Sequence, residues 1–510
     1  MKKLVFASAV LLCASSCKQP TQQAATYLPP PEPPEKPRQF VDTTYSAPSN
    51  IVRVHNAAGL QAAIDKANYG TTIVLDSGAT YVGNWQVKPK VWANGWIYII
   101  SSKFLLSAGA PPPHPVGKRV TNADAPDMAK LVTALQPSVF MLEPKLNLPA
   151  ASHIRFVGLE ITTSSEWGAV PDNKPWPING QSPVLVSLKG TDSITIDRCF
   201  IHGDKDHDVI HAVIGFQGAS NIAIVDSEIS EIHTGGMDAQ AFVMTASQGP
   251  VKLLNNKLSA STEDVMFGGA GVGAPPPFNG MVPSDIEIRN NWFWKDEAWI
   301  PRTTGNKPQW TVKNNLEFKS ADRVLVVGNT LENAWASGQY GSNVLITPRS
   351  YQSGPNTVVD DIDIESNTML NANWSFSISG WDSLCIPPQC TNPGESVRVK
   401  ITNNMIKLRS INSPASYKPL GFSIGKFERE YEISSNTITS MDSTKPWAGI
   451  FMNQPKCPNV DNQPYNLWIM NNVFPKQITG DCGYTGDRAL NMYMPDPPPP
   501  QLRYTGNTTQ

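Results

Sequence analysis

The stretch Val324-Leu325-Val326-Val327-Gly328-Asn329-Thr330-Leu331 decides the fold. Its frame is apolar, x, apolar, two residues, Asn, x, apolar, and it returns along the chain. Upstream copies are Ile194/Ile196/Cys199/Ile201, Ile222/Ile224/Ser227/Ile229, Val251/Leu253/Asn256/Leu258 and Ile286/Ile288/Asn291/Phe293. Downstream come Ile362/Ile364/Asn367/Met369, Val399/Ile401/Asn404/Ile406, Tyr431/Ile433/Asn436/Ile438 and Leu467/Ile469/Asn472/Phe474, and a weaker early copy is Ile154/Phe156/Leu159/Ile161. From Ile194 onward, successive first positions lie 28, 29, 35, 38, 38, 37, 32 and 36 residues apart, which is a repeat with variable loops. Period-two apolar pairs are strands with one face inward. A second strand precedes most copies, as in Val344-Leu345-Ile346 or Phe376-Ser377-Ile378. Two or three short strands per repeat describe one coil of a parallel solenoid.

This pattern resembles the right-handed parallel β-helix of the pectin-lyase-like superfamily. The resemblance implies an all-β, single-stranded right-handed parallel β-helix of ten or more coils, but not an activity, because the fold carries lyases, hydrolases, epimerases and adhesins. Leu60, Ala63, Ile64 and Ala67, after a capping Asn56, predict a short amphipathic helix that plugs the N-terminal end. The Asn column from Asn256 to Asn472 is read as scaffold: stacked Asn at a corner tolerates left-handed geometry and bonds along the stack.

Composition agrees with a repeat scaffold. The 510 residues carry 41 Lys+Arg against 43 Asp+Glu and are 16% charged, below the usual ~25%. That balance argues against a phosphate-binding basic face, and with it against a nucleic-acid partner. A 40% hydrophobic content excludes disorder throughout. Proline, at 45 residues, exceeds its usual ~5% and is clustered.

At the amino terminus Lys2 and Lys3 precede an apolar run from Leu4 to Leu12, too short for the ~20 residues of a membrane span but suited to a signal peptide. Ala14-Ser15-Ser16-Cys17 then resembles a bacterial lipoprotein signal, which implies lipidation at Cys17; ordinary secretion with cleavage nearby is the alternative. Both place the protein outside the cytoplasm, in the first case as a membrane-anchored lipoprotein. The expected organisation is a signal peptide over 1–16, an anchor cysteine and Pro-rich spacer over 17–52, the β-helix over 53–480, and a Pro-rich tail over 481–510. The spacer, with Pro29, Pro30, Pro31, Pro33 and Pro34, is expected to be extended and to hold a monomeric domain off a membrane surface. An oxidising compartment permits Cys385 with Cys390 and Cys457 with Cys482, leaving Cys199 as a buried thiol.

Residues at matching positions of adjacent coils lie ~4.8 Å apart, so groups 25 to 40 residues apart in sequence can meet. Loops after the corner carry Asp204, Asp206, His211, His233, Asp238, Gln240, Glu263 and Asp264. Carboxylates gathered at one corner need compensation, so Asp204, Asp206, Asp238, Glu263 and Asp264 are candidate calcium ligands, with solvated loops as the plainer reading. Asp204, Asp206 and Asp208 imitate an EF-hand start, but Val209 and Gly215 stand where Gly and Glu are required. A His202, His207, Asp204, Asp206 cluster lacks a standard zinc spacing.

Further along, Lys319-Ser320 after one strand, Asn329-Thr330-Leu331 at a corner and Arg349 on the next coil resemble the β-helix alginate lyase and chondroitin B lyase family. The resemblance implies Lys319 as base and Arg349 as acid or charge stabiliser, although the spacing to the Asn is one residue longer here and the loop before Arg349 is longer. A guanidinium beside the ammonium is expected to lower the pKa of Lys319. Polygalacturonase and pectate lyase signatures do not occur; paired carboxylates such as Asp238 with Glu263 or Asp264 suit glycosidase chemistry. Seven of the 14 Trp lie between Trp292 and Trp381, and Trp292 and Trp294 flank an inward Phe293. Trp292, Trp294 and Trp335, with His211, His233 and Gln240, are therefore candidate sugar contacts. Two functions remain: a lyase cleaving an acidic polysaccharide by β-elimination, or a non-catalytic glycan-binding or surface-interaction β-helix.

Overall fold

The computed structural model describes residues 28–509 apart from 46–48, 92, 107–112, 134–138, 143–150, 164–183, 207, 270–275, 301–309, 351–353, 355, 389, 412–418, 427, 442–447, 453–463, 476–478 and 481–501. The segment expected to be a signal peptide, Cys17, His207, Cys457 and Cys482 lie outside the described residues. Among the described residues, no helix is long and apolar enough to cross a membrane.

Three parallel sheets of 14, 13 and 12 strands form a parallel β-helix. One coil shows the course of the chain. Asp192–Asp197 lies in sheet 1, Phe200–His202 in sheet 2 and His211–Phe216 in sheet 3, and Ser220–Val225 then pairs with Asp192–Asp197 one coil on. Connections between parallel strands of this kind turn right-handed. The register keeps each column of the sequence repeat together: Ile194 pairs with Ile222, Ile286 with Val324, Val324 with Ile362, and Ile362 with Val399. All of these side chains are at most 1% exposed, and each contributes about 1.5–3 kcal/mol of burial.

The helix Ala57–Lys66 caps the first coil as expected; the Asn56 side chain accepts from Gly59 N–H, and Leu60 and Ile64 are buried. The far end departs from expectation. Leu502–Thr505 pairs with Tyr465–Met470, and Thr508–Thr509 with Val473–Phe474, so the solenoid extends beyond residue 480 into the segment read as a tail.

The Asn column is a continuous ladder. The backbone N–H of each Asn donates to the side-chain oxygen of the next, at 2.8 to 3.0 Å, from Asn256 through Asn291, Asn329, Asn367, Asn404, Asn436 and Asn472 to Asn507. Ser227 and Cys199 extend it upstream. The left-handed residue is not the ladder Asn but the one before it: Asn255, Asn290, Gly328, Ser366, Asn403, Ser435, Asn471 and Gly506 all have φ between 55° and 68°. The Asn-Asn doublets divide the labour. The first Asn turns the corner, and the second satisfies buried backbone groups.

The described part of the Pro-rich segment does not stand off as a spacer. From Pro29 to Tyr45 it lies along the outside of sheet 1, running from the last coils toward the first. Asn466 Nδ2 donates to Pro29 O at 3.1 Å, while the N–H groups of Glu32, Glu35 and Arg38 donate to Glu430, Asp361 and Asp285 at 3.0, 2.9 and 2.8 Å. Lys36 pairs with Asp363, Lys252 Nζ reaches Val41 O, and Arg155 reaches the carbonyls of Thr43 and Thr44. Pro31, Pro34 and Pro37 are buried, and the residues between them are exposed.

Candidate functional site

Sheet 3 brings three polar residues into one column: His211 pairs with Gln240, and Gln240 with Glu263. One coil further, Glu317 lies between the core residues Leu316 and Phe318 and so faces outward, with Lys319 two residues on along the same face. Gln240 Nε2 donates to Glu263 Oε2 at 2.6 Å, Asn314 Nδ2 donates to Glu317 Oε2 at 3.1 Å, and the two carboxyl groups hydrogen-bond to each other. Lys319 Nζ lies 3.0 Å from Glu317 Oε1, and Lys313 Nζ lies 3.7 Å from Glu263 Oε1 and pairs with Asp238.

Environment drives the two acids apart. Burial, aided by the charges of Glu317 and Asp238, pushes Glu263 up to about 8. Glu317 is as deeply buried, yet the Lys319 ammonium and the hydrogen bonds around it hold it below the usual range. At neutral pH Glu263 therefore carries the shared proton and Glu317 the charge. Burial pulls His211 down to about 4, so it is neutral.

The lowering expected for Lys319 does not occur. Arg349 is adjacent along the backbone, its N–H donating to Lys319 O at 3.0 Å, but its guanidinium turns to Asp382, with Nη1 to Oδ1 at 3.1 Å. Burial opposes the charge of Lys319, but Glu317 and Glu263 outweigh it and raise the ammonium to about 12.

The five acids named for calcium do not converge among the described residues. Asp204 accepts from Asp206 N–H in its own loop, and Asp238 pairs with Lys313. Glu263 and Asp264, though consecutive, take part in separate networks. Asp264 accepts from Lys295 Nζ at 3.2 Å, Ala260 N–H at 2.8 Å and Asn315 Nδ2 at 2.8 Å; both members of its ion pair are fully buried. A carboxylate already neutralised in this way offers no vacant oxygen to a cation, so as a set these residues do not fit one calcium site.

The aromatic candidates also separate. Trp292 and Trp294 are half-buried on sheet 2, with Lys257 Nζ 5.3 and 4.8 Å from their ring centroids and Trp292 Nε1 donating to Glu332. Trp335 is fully buried in a satellite cluster with Trp299, Trp310, Val312 and Ile411, which rules it out as a surface platform. His233 is likewise buried, stacked on Trp310 at 3.8 Å with Nε2 3.4 Å from Glu231. Of the sugar contacts expected, His211 and Gln240 join the carboxyl pair and the others do not. Cys385 and Cys390 form a disulfide, and Cys199 is buried with its thiol pushed up to about 12 by burial.

Glu317, Lys313 and Asn314 were not among the sequence candidates. Glu317 had a signal: it is a charged residue between two inward apolar ones, two residues before Lys319.

No protein-family model and no curated protein matches the chain. Among solved structures, an alginate lyase from Paenibacillus sp. str. FPU-7 is similar at 11% identity and TM-score 0.39, over 78% of this chain and 98% of its own. A mutant tailspike protein of E. coli bacteriophage HK620, in complex with pentasaccharide, gives 11% and 0.47 over 89% of this chain and 63% of its own. PfbA, a surface adhesin of Streptococcus pneumoniae, gives 12% and 0.42 over 88% and 87%.

Proposed function

We propose that this protein is an extracytoplasmic, polysaccharide-acting β-helix that cleaves an acidic glycan by β-elimination at the Glu263–Glu317–Lys319 cluster. The observation that supports this is the hydrogen-bonded carboxyl pair whose members titrate in opposite directions beside a fixed ammonium. Such a split assigns acid and base roles. Lys319, held charged, is suited to engage the uronate carboxylate and acidify the adjacent C5 proton. Glu317 takes that proton and Glu263 gives its own to the departing O4 oxygen, so the C4–O4 bond breaks as the C4–C5 double bond forms. The hydrogen bond between the carboxyls then returns the proton from Glu317 to Glu263, restoring the starting state. Acid and base on one side of the ring correspond to a syn elimination.

One observation favours a second reading, a non-catalytic glycan-binding β-helix: Glu263 and Glu317 are 0% and 1% exposed. Purified protein incubated with alginate, pectate and glycosaminoglycans, followed by the ultraviolet absorbance of unsaturated products, separates the two. The lyase reading requires a rise with at least one of them, lost in Glu317→Gln and reduced by a factor on the order of 10² or more in Glu263→Gln. Binding to these glycans with no absorbance change supports the second reading and removes the first.

A further inference from the structure

The outward edge of sheet 1 carries an alternating column. Asp285, Arg323, Asp361, Arg398, Glu430 and Asn466 occupy equivalent positions in six successive coils, all with φ between 51° and 58°. They pair two by two: Arg323 Nε with Asp285 Oδ1 at 2.8 Å, Arg398 Nε with Asp361 Oδ1 at 2.6 Å, and Asn466 Nδ2 with Glu430 Oε2 at 2.7 Å. An acceptor therefore recurs every second coil, facing the Pro-rich strap. The strap answers with one backbone N–H every third residue, at Glu32, Glu35 and Arg38, each directly after a buried proline.

The two periods match in length. Six residues of polyproline II helix span about 19 Å, at ~3.1 Å each. The four coil steps from Asp285 to Glu430 also span about 19 Å, at ~4.8 Å each. A β-strand would present alternate residues to the surface and could not bury every third one.

We infer that this column is a polyproline II recognition surface, which reads Pro-x-x units in steps of two coils, and that its occupant is this chain's own residues 31–38. Selectivity has two sources. Proline lacks an N–H, so within residues 31–38 only Glu32, Glu35, Lys36 and Arg38 can donate, and the three of these that directly follow a buried proline each meet an acceptor. The polyproline backbone is also preformed, so little entropy is lost on docking. Past Arg38 the spacing changes, and Val41 is buried with Ala223 and Val225 instead.

Insertions in the full-length protein test this register. Arg38-Gln39 is a trypsin site, whereas Lys36 precedes proline and is spared, so cleavage after Arg38 reports strap release. One serine inserted between Pro34 and Glu35 puts Glu32 out of phase with its acceptor; Glu-Lys-Pro inserted there moves it on by one whole step. The expected result is cleavage faster in the one-residue variant by roughly 10- to 100-fold, with the three-residue variant close to the parent. Equal rates in the two insertion variants would overturn the proposal, because a tail held by general adhesion does not count residues. Unchanged cleavage after Arg38 in Asp285→Ala, which removes the acceptor of Arg38 N–H, would overturn it independently of the insertions.

Discussion

Replacing Lys295 by Met tests the assignment of Asp264 to the interior. Lys295 Nζ donates to Ala260 O at 2.7 Å, Thr262 O at 3.0 Å and Asp264 Oδ1 at 3.2 Å, so its three hydrogens are all used. Met fills a similar volume but leaves two carbonyls without that donor and a carboxylate without its counter-ion. Breaking one side of a buried pair costs about 3–5 kcal/mol. Burial already raises Asp264 to about 6 in the parent, against the pull of Lys295; without that pull its folded pKa rises further. An acid whose folded pKa lies above its unfolded value is most stable when protonated, so the penalty is largest at pH 7 and shrinks as pH falls. The gap between variant and parent should narrow by about 1–2 kcal/mol between pH 7 and pH 5. The double variant Lys295→Met/Asp264→Leu should recover most of the loss, since no unpaired charge remains. Urea denaturation of parent, single and double variants at both pH values supplies the cycle. A single variant within 1 kcal/mol of the parent at pH 7 would refute the reasoning, as would a gap that does not change with pH.

Asn329→Ala removes the acceptor of the buried Asn291 N–H and the donor to Ile288 O, and should cost about 2–4 kcal/mol by denaturation, whereas Asn507→Ala at the partly exposed end of the ladder should cost under about 1. Parent stability should fall as pH rises from about 4.5 through 8, because folded Glu263 keeps its proton to about 8. Glu263→Gln should flatten that fall by up to about 1.4 kcal/mol per pH unit, and parallel curves would show that Glu263 does not hold the proton. Trp335→Ala should destabilise by about 3–5 kcal/mol through the cavity it leaves, whereas loss of glycan binding at unchanged stability would restore Trp335 as a contact residue.

The coil architecture was legible because its signal is local: Ile362, Ile364 and Asn367 state inward, inward and corner within six residues, and the next copy repeats the statement. The capping helix was legible for the same reason. The last coil was missed because the proline run at 497–500 dominates its reading, although Leu502, Tyr504 and Asn507 keep the frame. The strap was half legible. Its composition announces an extended helix, but its acceptors lie 247 to 398 residues away and look in sequence like ordinary surface charges. The site was least legible. Glu263 and Glu317 belong to adjacent coils separated by a long insertion, and whether Glu263 or Asp264 turns toward Glu317 depends on the geometry of one corner. The lysine was found and its state was not, because Arg349 is spent on Asp382 and the residue that sets the charge of Lys319 is Glu317.

The acid–cation alternation along sheet 1 also constrains how this chain can change in length. A solenoid usually tolerates gain or loss of one coil, since each repeat contacts only its neighbours. Beneath residues 31–38 a single added coil would place Arg323 or Arg398 where an acceptor must stand and push every later donor out of step. In that region the heritable unit is a pair of coils.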